Sequence, residues 1–114
     1  MTDDEKREWI ASLQPGDVVA FTVRTFGPEE YEFKEIAKIS PNRAKFTLDN
    51  GDTKTARDAR WEFHQPTEDM RIANKYARDL RMVRGFDWTK PESRELVLQV
   101  AELIRAANER AVKP

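Results

Sequence analysis

Between Asp17 and His64 the chain is a succession of short alternating runs, each closed by turn residues, and this pattern most restricts what it can fold into. Val18-Val19-Ala20-Phe21-Thr22-Val23 reads as a strand with Val19, Phe21 and Val23 on one face, and Phe26-Gly27-Pro28-Glu29 as the turn after it. Tyr31, Phe33, Ala37 and Ile39 share a period of two through the next run, which Ser40-Pro41-Asn42 ends. Phe46 and Leu48 then alternate with Lys45, Thr47 and Asp49. Asn50-Gly51 is the strongest hairpin signal in the chain, because a tight two-residue turn needs positive φ. Residues 53–57 are the expected return strand, and Trp61-Glu62-Phe63 a fifth. Five short strands in so few residues predict a small, closed or partly closed antiparallel barrel.

Helical patterns flank this region. Over residues 1–14, Thr2 and Glu5 have the spacing of a capping box, Asp3 and Asp4 suit the positive end of the helix dipole, and Trp9, Ile10 and Leu13 form one apolar face before Pro15-Gly16. After Pro66, Thr67 is a candidate cap, and Ile72, Tyr76, Leu80 and Val83 lie along one side of a helix that Gly85 should end. Thr89 and Glu92 cap a last helix with Leu96, Val97, Val100, Leu103, Ile104 and Ala107 on one face. The fold expected is α+β in one domain over residues 1–114: an N-terminal helix (1–14), a five-stranded antiparallel barrel (15–64) and a two-helix hairpin packed on it (66–112). A length of 114 residues suits one core.

Leu13-Gln14-Pro15-Gly16-Asp17-Val18-Val19, Ile36-Ala37-Lys38-Ile39 and Lys45-Phe46-Thr47-Leu48-Asp49-Asn50-Gly51 together resemble the small SH3-like barrels of short bacterial and phage proteins. The resemblance covers residues 15–64 and rests on turn chemistry. It implies a module that binds RNA, DNA or protein rather than a catalyst, and it transfers no functional residue.

Composition narrows the chemistry. Twenty basic and 21 acidic residues leave a net charge of −1, unlike a protein that coats nucleic acid by bulk charge. With no cysteine, disulfides and thiolate chemistry are excluded. The acidic start Met1-Thr2-Asp3-Asp4-Glu5 lacks the apolar stretch of a signal peptide, and no run is long enough to span a bilayer, so a cytoplasmic chain without a membrane partner is expected. His64 is the single histidine, too few for a His-based triad or metal site, and reads as a structural or surface residue. Asp49-Asn50-Gly51-Asp52 lacks the spacing and terminal Glu of a calcium loop and reads as a turn. Glu29, Glu30, Glu32 and Glu35 read as a solvated loop and strand face. With four glycines and no phosphate-binding loop, neither an enzyme nor a cofactor is expected.

Two basic clusters and one aromatic pair are the candidate binding residues. Between residues 65 and 84, five basic residues face three acids. Arg71, Lys75 and Arg78 fall within about 60° of one another on a helix, with Arg81 at the margin, opposite Ile72, Tyr76 and Leu80. Such a stripe suits phosphates or an acidic surface, and equally a solvated face paired to neighbouring acids. Lys54, Arg57, Arg60 and Trp61 form a second cluster; Trp61 suits base stacking, but as a large aromatic it is expected to plug the core between barrel and helices. Phe86 and Trp88 either close the helical hairpin or present an apolar patch. The function expected is a non-enzymatic protein-interaction module, an adaptor or inhibitor of the kind phages encode, with DNA or RNA binding through the 67–84 helix and the Lys54/Arg57/Arg60 edge as the alternative.

Overall fold

The computed structural model describes residues 1–23 and 27–112. Phe26, placed by the sequence in the turn after the first strand, lies outside the described residues. The chain divides into two compact units, Met1–Asp79 and Leu80–Pro114.

The first unit opens with helix α1, Asp3–Ser12. Its capping box forms as expected: the Thr2 hydroxyl accepts from the Glu5 N–H, and the Glu5 carboxylate accepts from the Thr2 N–H. Four antiparallel strands follow in the order β1-β2-β3-β4: β1 Val18–Val23, β2 Glu30–Ile39, β3 Lys45–Leu48 and β4 Thr53–Thr55. The β3–β4 hairpin turns at Asn50-Gly51, where Gly51 takes φ +90° and the Asn50 side chain bonds the Asp52 backbone and carboxylate.

The expected five-stranded barrel is not formed; the sheet has four strands and curls into a half-barrel. The return strand stops at Thr55, and residues 56–62 are helix α2, Ala56–Glu62. Thr55 and Asp58 make a second capping box, a local signal that outcompetes continued pairing. The change of period reassigns the side chains. In a strand Trp61 and Phe63 would share a face, whereas on a helix Ala59 and Phe63 align and Trp61 points about 200° away from Ala59. Ala59 and Phe63 are fully buried, while Trp61 is 77% exposed, so Phe63 and not Trp61 is the core plug. What remains of the fifth strand is one bridge, with His64 and Ala20 exchanging both backbone hydrogen bonds at 2.9 Å.

β2 carries a second departure from simple alternation. Ile36 pairs with Leu48 but Lys38 with Thr47, so Ala37 is the extra residue of a β-bulge. The bulge turns Ala37 outward and brings both Ile36 and Ile39 to the core face. Ile10 and Leu13, Val19, Ile36, Phe46 and Leu48, Ala59 and Phe63 make one core, in which Phe63 meets the edges of Phe21 and Phe46 at 5.4 and 5.5 Å between ring centres.

Helix α3, Glu68–Gly85, starts behind the Thr67 hydroxyl, which accepts from the Met70 N–H. The face expected inward is largely outward: Ile72 and Tyr76 are exposed and Leu80 half-buried, while Ala77 is buried and Ala73 and Asn74 half-buried. Asn74 fixes this rotation by bonding the Tyr31 backbone, which turns the small Ala73 and Ala77 inward with it.

In the second unit a 3₁₀ turn at Pro91–Ser93 leads into helix α4, Arg94–Val112. The expected two-helix hairpin is not formed. Phe86 and Trp88 pack edge to face on each other, the Trp88 indole N–H donates to the Val83 carbonyl, and Ser93 Oγ donates to the Asp87 carbonyl. The connector thus satisfies itself locally. The apolar face of α4 remains open: Leu96, Val97, Leu103 and Ile104 are all exposed, Leu103 by 69%. Among the described residues, no helix is long and apolar enough to cross a membrane.

Candidate functional site

The basic residues of the α3 stripe, Arg71, Lys75, Arg78 and Arg81, are all exposed. Arg71 lies 3.9 Å from Glu68 on its own helix and over the Phe33 ring at 5.5 Å, and Lys75 lies 3.9 Å from Asp79. Arg81 has an interaction partner of its own. Three of the four cations are thus already engaged, and the exposed ion pairs of Arg71 and Lys75 contribute at most about 1 kcal/mol each.

The Lys54/Arg57/Arg60/Trp61 cluster separates. Lys54 turns back to Glu62 at 3.1 Å, and its ammonium stands 5.9 Å from the centre of the Phe21 ring. Lys34 approaches the same ring at 5.2 Å and pairs with Asp52 at 3.7 Å. Arg57, Arg60 and Trp61 lie exposed on α2. Phe86 is exposed and Trp88 half-buried in the connector of the second unit.

The fold brings other cations to Arg60 and Trp61. α1 packs beside α2, so that a shallow recess of about 60 Å³ is lined by Asp3, Lys6 and Arg7 from α1 and by Arg60 and Trp61 from α2. Arg7 and Arg60 also border a neighbouring recess of about 290 Å³ with Arg43, over a floor of Ile10, Ala11, Phe46 and Ala56. Arg43 is held at φ 55°, and its guanidinium donates to the carbonyls of Ile10 and Leu13, closing the C-terminal end of α1. Lys6 is half-buried; desolvation lowers its pKa, with Asp3 opposing. On its other side Lys6 faces His64 across a recess that also includes Gln65, Thr67 and Met70. Burial first, and the Lys6 charge second, hold the His64 imidazole below its ordinary value. Nothing in the sequence marks Lys6, Arg7 and Arg43 as site residues. The first two sit in a helix with net negative charge, and nothing local says which helix it packs against.

Among the described residues, no three His, Asp or Glu side chains come together to hold a metal ion. No protein family, curated protein or solved structure matches the chain.

Proposed function

We propose that this protein is a non-enzymatic protein-interaction module whose docking element is α4. The observation that carries this reading is the open apolar stripe on that helix. At about 100° per residue, Leu96, Val97, Val100, Leu103, Ile104 and Ala107 fall within an arc of about 120°. Four of these large side chains are exposed, Leu103 and Ile104 by more than half. Burying a Leu or Ile side chain contributes about 1.5–3 kcal/mol, so a free stripe of this size is a strong drive toward an apolar partner surface. Glu102 and Arg105 pair with each other on the polar side, which keeps that side wet. The resemblance of residues 15–64 to SH3-like binding modules points the same way, with the half-barrel as the carrier.

The test is affinity capture from cell extract with the intact protein and with a Leu103→Ser/Ile104→Ser variant, joined to hydrogen exchange on both. A partner held by the first and lost by the second, with slowed exchange in α4 on binding, is the expected result. Strong protection of α4 in the free monomer would mean that the stripe is covered within the chain, and the reading would fail.

A further inference from the structure

A second surface, independent of α4, carries a different chemistry. Among the described residues Trp61 is the most exposed of the large apolar side chains, at 77%, and it is a planar ring on a helix whose opposite side carries the fully buried Ala59. The helix beneath it is short and capped at its N-terminus by the Thr55/Asp58 box, so the backbone that carries the indole is fixed. On the flank toward α1 the groups beside it are mostly cationic: Lys6 and Arg7 come from α1 and Arg60 from α2, against the acid Asp3. On its other flank stands Glu62, whose carboxylate is neutralised by Lys54 at 3.1 Å. Neither Arg7 nor Arg60 has an ion-pair partner among the described residues. Lys6 is partly desolvated, a state that an incoming anion relieves. Beyond Arg7 and Arg60 the recess of about 290 Å³ with Arg43, lined by Ile10, Ala11, Phe46 and Ala56, continues the surface.

We propose that the surface between α1 and α2 binds single-stranded nucleic acid, one base stacking on Trp61 and the adjacent phosphates lying on Lys6, Arg7 and Arg60. An exposed aromatic with cations on its flanks is the arrangement that tracks a single strand: stacking accepts any base, and the cations follow the backbone. A duplex hides its base faces and leaves the indole without a partner. An acidic peptide would satisfy the cations but gain little from the ring. The net charge of −1 makes this a local site and not a general polyanion surface. Three phosphate contacts to a single strand imply a salt slope of log K near about −2.

The test is fluorescence anisotropy of labelled oligo-dT and oligo-U strands of about twelve nucleotides, with a duplex of equal length, over a series of salt concentrations. Both strands should bind at low salt, the duplex more weakly, and the two strands tell DNA from RNA. Trp61→Ala should weaken binding about fivefold or more with the salt slope unchanged, and Trp61→Phe should recover part of it. Arg7→Glu/Arg60→Glu should abolish binding, while Arg71→Glu/Lys75→Glu/Arg78→Glu should leave it as it was. These side chains are exposed, and circular dichroism of each variant checks the fold; Trp61→Ala stands alone if the charge reversal unfolds. Absence of low-salt binding, a Trp61→Ala variant that binds like the parent, or displacement by polyglutamate as effective as by unlabelled oligonucleotide would each overturn the proposal, the last by showing an acidic peptide site.

Discussion

Asn74 satisfies both backbone polar groups of Tyr31: its Oδ1 accepts from the Tyr31 N–H at 2.6 Å, and its Nδ2 donates to the Tyr31 carbonyl at 2.8 Å. Tyr31 pairs on its other side with Thr22 of β1, so one carboxamide substitutes for a neighbouring strand at this point of the sheet edge. The same contact sets the rotation of α3. Asn74→Ala should cost about 1–3 kcal/mol, since two partly buried backbone groups lose their partner. Urea unfolding checks the magnitude. Faster exchange of the Tyr31 amide, with that of Phe21 unaffected, would locate it.

Two aromatic neighbours should behave oppositely. Phe63 is fully buried against Phe21 and Phe46, so Phe63→Ala should cost about 3–5 kcal/mol, enough to unfold much of the first unit. Trp61→Ala should change the unfolding free energy by less than about 0.5 kcal/mol, as an exposed position does. Equal destabilisation in paired melting curves would contradict the helical placement of residues 56–62.

Arg43 combines strain with a cap. Its φ of 55° costs an L residue about 1–2 kcal/mol, while its guanidinium closes α1 through two carbonyls. Arg43→Ala loses the cap and keeps the strain; Arg43→Gly loses the cap and relieves the strain. The alanine variant should therefore be the less stable by about 1 kcal/mol, measured by chemical denaturation.

His64 predicts a pH dependence of stability. Burial and the Lys6 charge lower its folded pKa below the ordinary 6.5, so between the two values the unfolded chain binds more protons than the folded one. Its contribution is complete above 6.5, declines as pH falls from there to the folded pKa, and is level below that. His64→Gln should flatten the urea midpoint between about pH 7 and pH 5 relative to the parent. Asp87, whose carboxyl is lowered by the Thr89 hydroxyl and N–H, acts only near and below 3.8 and does not confuse the reading. A parent curve already flat through this range would refute the assignment.

The candidate site was half legible in the sequence. Arg60 and Trp61 stand out as a basic-aromatic pair, but their partners come from residues more than fifty positions away on α1. Lys54, a few positions earlier in the chain, belongs to the same cluster by sequence but turns to Glu62. Spacing tells which residues share a local element; it does not tell which elements become neighbours.

By itself the sequence determined what local chemistry controls. The Thr2/Glu5 box, the strand Val18–Val23, the Phe46/Leu48 alternation and the Asn50-Gly51 turn depend on interactions within a few residues, and each forms where the sequence places it. The tertiary structure decided every choice between two locally acceptable periods. Residues 56–63 alternate well enough for a strand and cap well enough for a helix; the Thr55/Asp58 box favours the helix locally, and the assembled core accepts it because Ala59 and Phe63 are then buried and Trp61 is left outside. Ala37 fits the period of β2, yet the sheet bulges there so that Ile36 and Ile39 both reach the core. On α3 two faces were eligible for burial, and a pair of hydrogen bonds from Asn74 outweighed the larger apolar side chains of Ile72 and Tyr76. An unpaired buried or half-buried backbone group costs as much as an apolar side chain gains, and only the assembled fold shows where that group lies.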